Sequence, residues 1–218
     1  MIDLHTHSLF SDGELIPAEL VRRAVVQGYQ AMAITDHGDM SNIDFIVPRM
    51  VQACRVLSGA NGIRVIPGIE LTHVPPRHIA ELAKEARRLG ARIVVVHGET
   101  LVEPVVPGTN TAALKADIDI LAHPGLISED DARLAKKNGI FLEITTRKGH
   151  SLTNGHVVKM GRKFKVPLVL DTDSHGPADL VDDAMAEAII RGAGMDEKEK
   201  EAVLENARML VDRIWAGK

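Results

Sequence analysis

Seven short runs of apolar, mostly β-branched residues recur along the chain: Ile2–Leu4, Ala31–Thr35, Arg64–Leu71, Arg92–Val96, Ile118–Ala122, Ile140–Thr145 and Leu168–Asp171. Runs that are apolar nearly throughout predict strands buried on both faces, as in a parallel sheet. Between them lie amphipathic stretches that predict helices. Pro17–Gly28 opens on Pro and closes on Gly. Arg77–Gly90 carries Ile79, Leu82, Ala83, Ala86 and Leu89 at helical spacing. Ser128–Gly139 begins with a capping residue and an acidic first turn and finishes on Lys136, Lys137 and Asn138. His156–Phe164, Ala178–Arg191 and Glu197–Ala216 continue the alternation, and in the last of these Val203, Leu204, Ala207, Leu210, Val211 and Ile214 share one face. That face suits a helix that caps the core better than one that meets a partner chain.

The pattern amounts to about seven β–α units in a single α/β domain over residues 1–218, with no linker, repeat or low-complexity tract. An open doubly wound sheet and a closed barrel both satisfy such alternation. The polar residues decide between them. Nearly every predicted strand ends on one, and only in a barrel do all strand ends converge on one mouth.

Those end residues are of one chemical kind. His5, His7, Asp12, His37, Glu70, His97, His123, Asp173 and His175 each close an apolar run or follow one. Imidazole and carboxylate are ligands for divalent metals, and nine such groups exceed the needs of one ion, so a cluster of two or three is expected. His5 and His7, one residue apart on an extended chain, project to the same side. Asp12 reads as a helix cap or turn residue when taken alone, and as a ligand in this company. His37 is the expected ligand of its strand end, with Asp36 structural. An acid in a run as apolar as that before Glu70 is costly to bury unless paired or metal-bound; the alternative is a strand that stops earlier and leaves it solvated. Asp173 and His175 form the preferred pair at the seventh strand, with Asp171 a layer deeper. His73, His78 and His156 are expected at the surface, and His150, in the loop after the sixth strand, near substrate.

Composition narrows the setting. Only six aromatics are present, so the core must be aliphatic. A single cysteine, Cys54, excludes an internal disulfide and a cysteine zinc knuckle. The formal charge of −4 argues against a tight complex with long nucleic acid. No apolar run reaches membrane-spanning length and no secretory pattern opens the chain, so the cytoplasm is the expected compartment.

The order His-x-His, Ser-Asp-Gly, Thr-Asp-His, Gly-Ile-Glu, His-Gly-Glu, His-Pro-Gly, Leu-Glu-Ile, Asp-Ser-His, running from residue 1 to about residue 176, resembles the PHP (polymerase and histidinol phosphatase) family. The resemblance implies a distorted (β/α)7 TIM-like barrel with a trinuclear site of zinc, manganese or iron. It implies that His5, His7, Glu70 and Asp173 hold one ion. Glu70 would bridge to a second on His97 and His123, and Asp12, His37 and His175 would hold the third. Some family members carry His where this chain has Asp12. Of these residues, Glu70, His97 and Asp173 are the candidates for catalysis. Glu143 is expected to orient the loop or a ligand histidine.

A bridged metal pair lowers the pKa of a shared water and clamps the oxygens of an in-line displacement at phosphorus. The expected activity is therefore hydrolysis of a small phosphate monoester, histidinol phosphate or a nucleotide or sugar phosphate, by attack of a metal-bridging hydroxide. Arg147 and Lys148, in an acid-free stretch after the sixth strand, are expected to bind the phosphate together with His150. Two alternatives stand beside this. One is a phosphodiesterase or 3'-5' exonuclease on short oligonucleotides, disfavoured by the scarcity of aromatics for base stacking. The other is a non-catalytic interaction module, whose signature would be lost ligands.

Overall fold

The computed structural model describes residues 1–216; residues 217–218, counted in the single domain expected from sequence, lie outside the described residues. Among the described residues there are eight strands: β1 (Ile2–Asp3), β2 (Ala31–Ile34), β3 (His37–Gly38), β4 (Arg64–Leu71), β5 (Ile93–His97), β6 (Ile120–Ala122), β7 (Phe141–Thr145) and β8 (Leu168–Asp171). Every pairing is parallel, and the strands follow the order β1-β2-β4-β5-β6-β7-β8. The two-residue β3 continues the path of β2 after a break at Thr35 and Asp36, and pairs with the last turn of β4, His37 opposite Glu70.

The sheet closes where β8 meets β1. The ladder there is one bridge, Thr6 to Ser174, with His7 N–H donating to the Ser174 carbonyl at 2.8 Å. Buried carboxylates supply the rest. Asp171 Oδ1 accepts from Leu4 N–H at 2.6 Å, and Asp3 accepts from Thr172 N–H at 3.1 Å and its hydroxyl at 2.6 Å. Asp171 is thus a seam residue, its carboxyl pushed well above the usual range by burial and by nearby Glu143.

Period-two geometry divides the barrel interior along its axis. Ile66 and Gly68 precede Glu70, Ile93 and Val95 precede His97, and Phe141 precedes Glu143 on one face of their strands. The lower residues of this set form an apolar plug with Ile2, Leu4, Ala31, Ala33, Ile120 and Val169. The upper ones carry the acids and histidines. From below, the plug is sealed by Ala207, Leu210, Val211 and Ile214 of the last helix, Glu197–Ala216.

Around the sheet run α1 (Pro17–Val26), α2 (Ile43–Asn61), α3 (Pro76–Leu89), α4 (Thr109–Ala113), α5 (Glu129–Asn138), α6 (Asn154–Phe164), α7 (Asp183–Gly192) and α8 (Glu197–Ala216). α2 and α4 have no counterpart in the sequence-derived set. Pro48 lies inside α2, where a proline costs a hydrogen bond. Burial of Ile43, Ile46, Val47, Met50 and Cys54 against the sheet outweighs it. α7 begins later than the expected Ala178, at a cap in which the Asp182 carboxylate accepts from Met185 N–H at 2.8 Å. Among the described residues no helix is long and apolar enough to cross a membrane.

Candidate metal centre

The strand ends deliver their polar residues to one place. His5 and His7 follow β1, His37 is β3, Glu70 lies near the end of β4, and His97 closes β5. His123 follows β6, and Asp173 and His175 follow β8. Asp12 arrives from the loop after β1. His123 and Asp173 have φ of +29° and +51°, a region side-chain-bearing residues adopt only when surroundings hold them there. At Gly98 and Gly125 the backbone packs too closely for a side chain: a Cβ would lie 2.3 Å from the Ala122 carbonyl oxygen and 1.8 Å from that of Glu99, respectively. These contacts join the β5 and β6 loops and thereby set His97 beside His123.

His5, His7, Glu70 and Asp173 are wholly or almost wholly buried. His7 Nε2 stands 3.1 Å and His5 Nε2 3.6 Å from Asp173 Oδ1, while His5 Nε2 stands 3.4 Å from Glu70 Oε1. A second group opens to solvent: Asp12 Oδ1 lies 3.3 Å from His37 Nε2 and 3.2 Å from His175 Nε2. Glu70 links the groups, its Oε2 2.7 Å from His37 Nδ1 and its Oε1 3.8 Å from His123 Nε2. Donor atoms of His97, His123 and His150 lie within 4.8 Å of one another.

His5 Nε2, both ring nitrogens of His7 and Glu70 Oε1 make no hydrogen bond among the described residues, although all are buried. Unsatisfied buried polar atoms cost stability unless something else fills their valence. Their mutual spacing fits a metal ion, since two donors on a tetrahedral zinc are roughly 3.4 Å apart. On four of the histidines the ring nitrogen turned away from the centre is engaged. His5 Nδ1 pairs with Glu143 Oε2 at 2.7 Å, His97 Nδ1 with the Gly98 carbonyl at 3.1 Å, and His175 Nδ1 with the Asp173 carbonyl at 2.9 Å. His37 Nδ1 pairs with Thr72 Oγ1 at 2.6 Å. Partners of this kind fix a ligating imidazole's tautomer and orientation.

The electrostatics are those of a site short of positive charge. Burial opposes the charged form of His5, but Glu143, Glu70 and Asp173 around it hold its pKa well above the usual range. His37 is pushed up to about 10, against its burial, by Glu70 and Asp12. His7 is lowered to about 3, by burial first and by His37. Burial raises Glu143 to about 7. Glu70 and Asp173 are held low, against burial, by the surrounding histidines.

Asp36 is structural, as expected: it accepts from Ser8 N–H at 2.7 Å, Ser8 Oγ at 2.8 Å and Ser11 Oγ at 2.8 Å. Arg147 lines the mouth, with Nη1 3.0 Å from Asp179 Oδ2 and Nε 3.8 Å from Asp173 Oδ2. Lys148 is exposed and is not among the residues lining the mouth cavity, which measures about 300 Å³. A larger cavity of about 810 Å³ lies at the opposite end of the barrel, lined by Cys54, Val65, Ile66, Ile214 and Trp215 and without any of these donors. His156 is partly buried rather than superficial, because its Nε2 reaches the Ile127 carbonyl at 2.8 Å. His73 is exposed, yet its φ of +53° turns it toward the mouth, where Nε2 meets Glu103 at 3.2 Å. Glu103 carries no sequence signal because it sits in an irregular loop, six residues past the end of β5.

The family model described as PHP domain matches residues 3–114. An uncharacterized protein of Methanocaldococcus jannaschii is 50% identical over 215 residues, covering 97% of this chain and 99% of that protein. A probable phosphatase of Acetivibrio thermocellus is 28% identical over 202 residues, covering 80% of this chain and 79% of its own. Among solved structures, a chain in the cryo-EM structure of archaeal ribonuclease P with mature tRNA superposes with a TM-score of 0.75 at 19% identity, covering 98% of this chain and 91% of that one.

Proposed function

Because the chain belongs to the PHP domain family, we propose that it is a metal-dependent phosphoesterase, specifically a phosphomonoesterase for a small ester such as histidinol phosphate or a nucleotide or sugar phosphate. The observation that carries this reading is the set of buried, unpartnered donors at the barrel mouth, His5 Nε2, His7 Nε2 and Glu70 Oε1. On this reading His5, His7, Glu70 and Asp173 hold one zinc, manganese or iron ion. Glu70, His97 and His123 hold a second, and Asp12, His37 and His175 a third. When bound, such ions activate water near neutral pH and neutralise charge developing at phosphorus.

The chain's own groups do the rest. Glu143 accepts a hydrogen bond from His5 Nδ1–H and so aims Nε2 at Glu70 and Asp173. Arg147 presents a guanidinium beside Asp173, where it can meet the phosphate oxygens. Lys148, the next residue in that loop, is exposed. A mouth of about 300 Å³ suits a small ester, at the lower end of ligand-pocket sizes. The similarity to a probable phosphatase supports the reaction class; the ribonuclease P chain shares the fold.

The test is hydrolysis of p-nitrophenyl phosphate and its bis-ester by protein loaded with manganese or zinc. The reading expects phosphate release from the monoester, abolished by chelation, with the bis-ester spared. Preferential cleavage of the bis-ester or of single-stranded oligonucleotides would assign a diesterase instead, and no hydrolysis by ion-loaded protein would overturn the assignment.

A further inference from the structure

The loop between β5 and α4 brings an acid to the mouth that none of the strand-end motifs contains. Its base is pinned: Glu99 Oε1 accepts from Gly108 and Asn110 N–H at 2.9 Å each, and Asn110 Oδ1 accepts from Glu99 N–H at 3.0 Å. At its tip Glu103 is reached by three imidazoles. Its Oε2 lies 3.1 Å from His97 Nε2 and 3.2 Å from His73 Nε2, and its Oε1 lies 3.3 Å from His150 Nε2.

His150 has the same arrangement as His5, His37, His97 and His175 of the proposed cluster. It is buried, its Nδ1 is engaged by Thr100 Oγ1 at 2.7 Å, and its Nε2 is left facing the centre. Its ring stacks on His123 at 4.2 Å between centroids. His156 and His78, away from the mouth, differ. Their Nε2 atoms already pair with the Ile127 carbonyl and the Arg77 guanidinium. The donors of His97, His123 and His150 cluster within 4.8 Å, and Glu103 groups in the same way with His97 and His73.

We propose that Glu103 and His150 are ligands of the second ion, joining His97 and His123. This inference rests on the metal-cluster reading above, and it moves His150 from substrate contact to metal ligand. It also accounts for the 3.1 and 3.3 Å spacings of Glu103 from two imidazoles, which match donor separations on an ion. His73, which is exposed, meets the same Glu103 oxygen as His97, while His150 meets the other. The second ion then depends on a loop specific to the β5–α4 connection, and its occupancy follows from that loop's position.

The experiment is titration of the metal-free full-length chain with cobalt(II), comparing wild type with Glu103→Gln, Glu103→Ala and His150→Ala. Glu103→Gln keeps the shape of the side chain, so loss of folding does not cloud the result. We expect each variant to lose affinity for one cobalt equivalent by tenfold or more, with the other equivalents retained. The visible absorption of the weakened site should change, since that band reports the ligand set directly. Unchanged affinities and an unchanged spectrum in all three variants would overturn this inference alone, leaving the Glu103 contacts as ion pairs. A wild-type chain that binds no cobalt would overturn it together with the metal-cluster reading.

Discussion

The most exacting test of the centre's construction is Glu143→Gln, a change that alters charge and leaves volume nearly constant. Glu143 is wholly buried, and its Oε2 sits 2.7 Å from His5 Nδ1. The pair forces the His5 proton onto Nδ1 and leaves Nε2, which has no hydrogen-bond partner, pointing between Glu70 and Asp173. A glutamine oxygen can accept the same hydrogen bond, so the ring should stay in place. What is lost is the charge assistance, and a charge-assisted bond is about twice as strong as a neutral one. Outer partners of ligating histidines typically contribute about 10- to 100-fold in metal affinity. One pKa-sized decade corresponds to about 1.4 kcal/mol, so the expected loss is about 1.4–2.7 kcal/mol of binding at the first site. Competition against a chromogenic chelator measures it. Thermal unfolding of the metal-free protein should change little, because the variant also removes a buried carboxyl that burial has raised to about 7. An affinity equal to wild type would refute the claim that Glu143 sets the basicity of His5. A collapse in unfolding temperature would show that its role is structural.

Other outcomes follow from the same geometry. Glu70→Ala should abolish activity and remove at least one metal equivalent, because its two oxygens face different histidines; full activity in that variant would sink its assignment as a bridge. Arg147→Ala should slow phosphate release by about 10- to 100-fold, read as kcat and KM, while metal content stays constant; coordinated metal loss would mean the residue serves the cluster instead. Gly125→Ala should destabilise the fold by about 2–4 kcal/mol in thermal unfolding, since φ is +62° and the Glu99 carbonyl occupies the space of a Cβ; an unchanged melting temperature would contradict the packing of the β5 and β6 loops. Manganese affinity should rise between pH 6.5 and 8.5, because His37, held up at about 10, must release its proton to bind. By the same sign, the metal-free protein gains stability from His37 below pH 6.5 and loses it as pH rises toward 10. Calorimetry in buffers of different ionisation enthalpy detects the released proton, and a flat affinity would refute the coupling.

Much of this architecture was legible in the chain because one physical demand wrote it. Strands buried on both faces must be apolar, so a polar residue at a strand's end stands out, and His97 after Val94-Val95-Val96 or His123 after Ile120-Leu121-Ala122 could be read directly. The buried face of α8 could be read for a related reason, its apolar residues recurring at helical spacing from Val203 to Ile214. Features set by tertiary contact were not legible. α2 hides behind Pro48, whose local penalty is overcome only by burial against β4. Asp171 could be placed only a layer deeper than Asp173, and Asp3 drew no reading, until the seam between β1 and β8 gave both amide partners. Glu103 and His73 depend on loop conformation, one in an irregular segment and the other at positive φ, and periodicity carries no information about either.

The central claim is that the strand-end histidines and carboxylates hold a metal cluster. It is tested most directly by elemental analysis of the full-length chain purified without chelator. The account expects two to three equivalents of zinc, manganese or iron per chain. One equivalent or fewer, not restored by adding zinc or manganese, would contradict it and leave the buried donors of His5, His7 and Glu70 as structural groups.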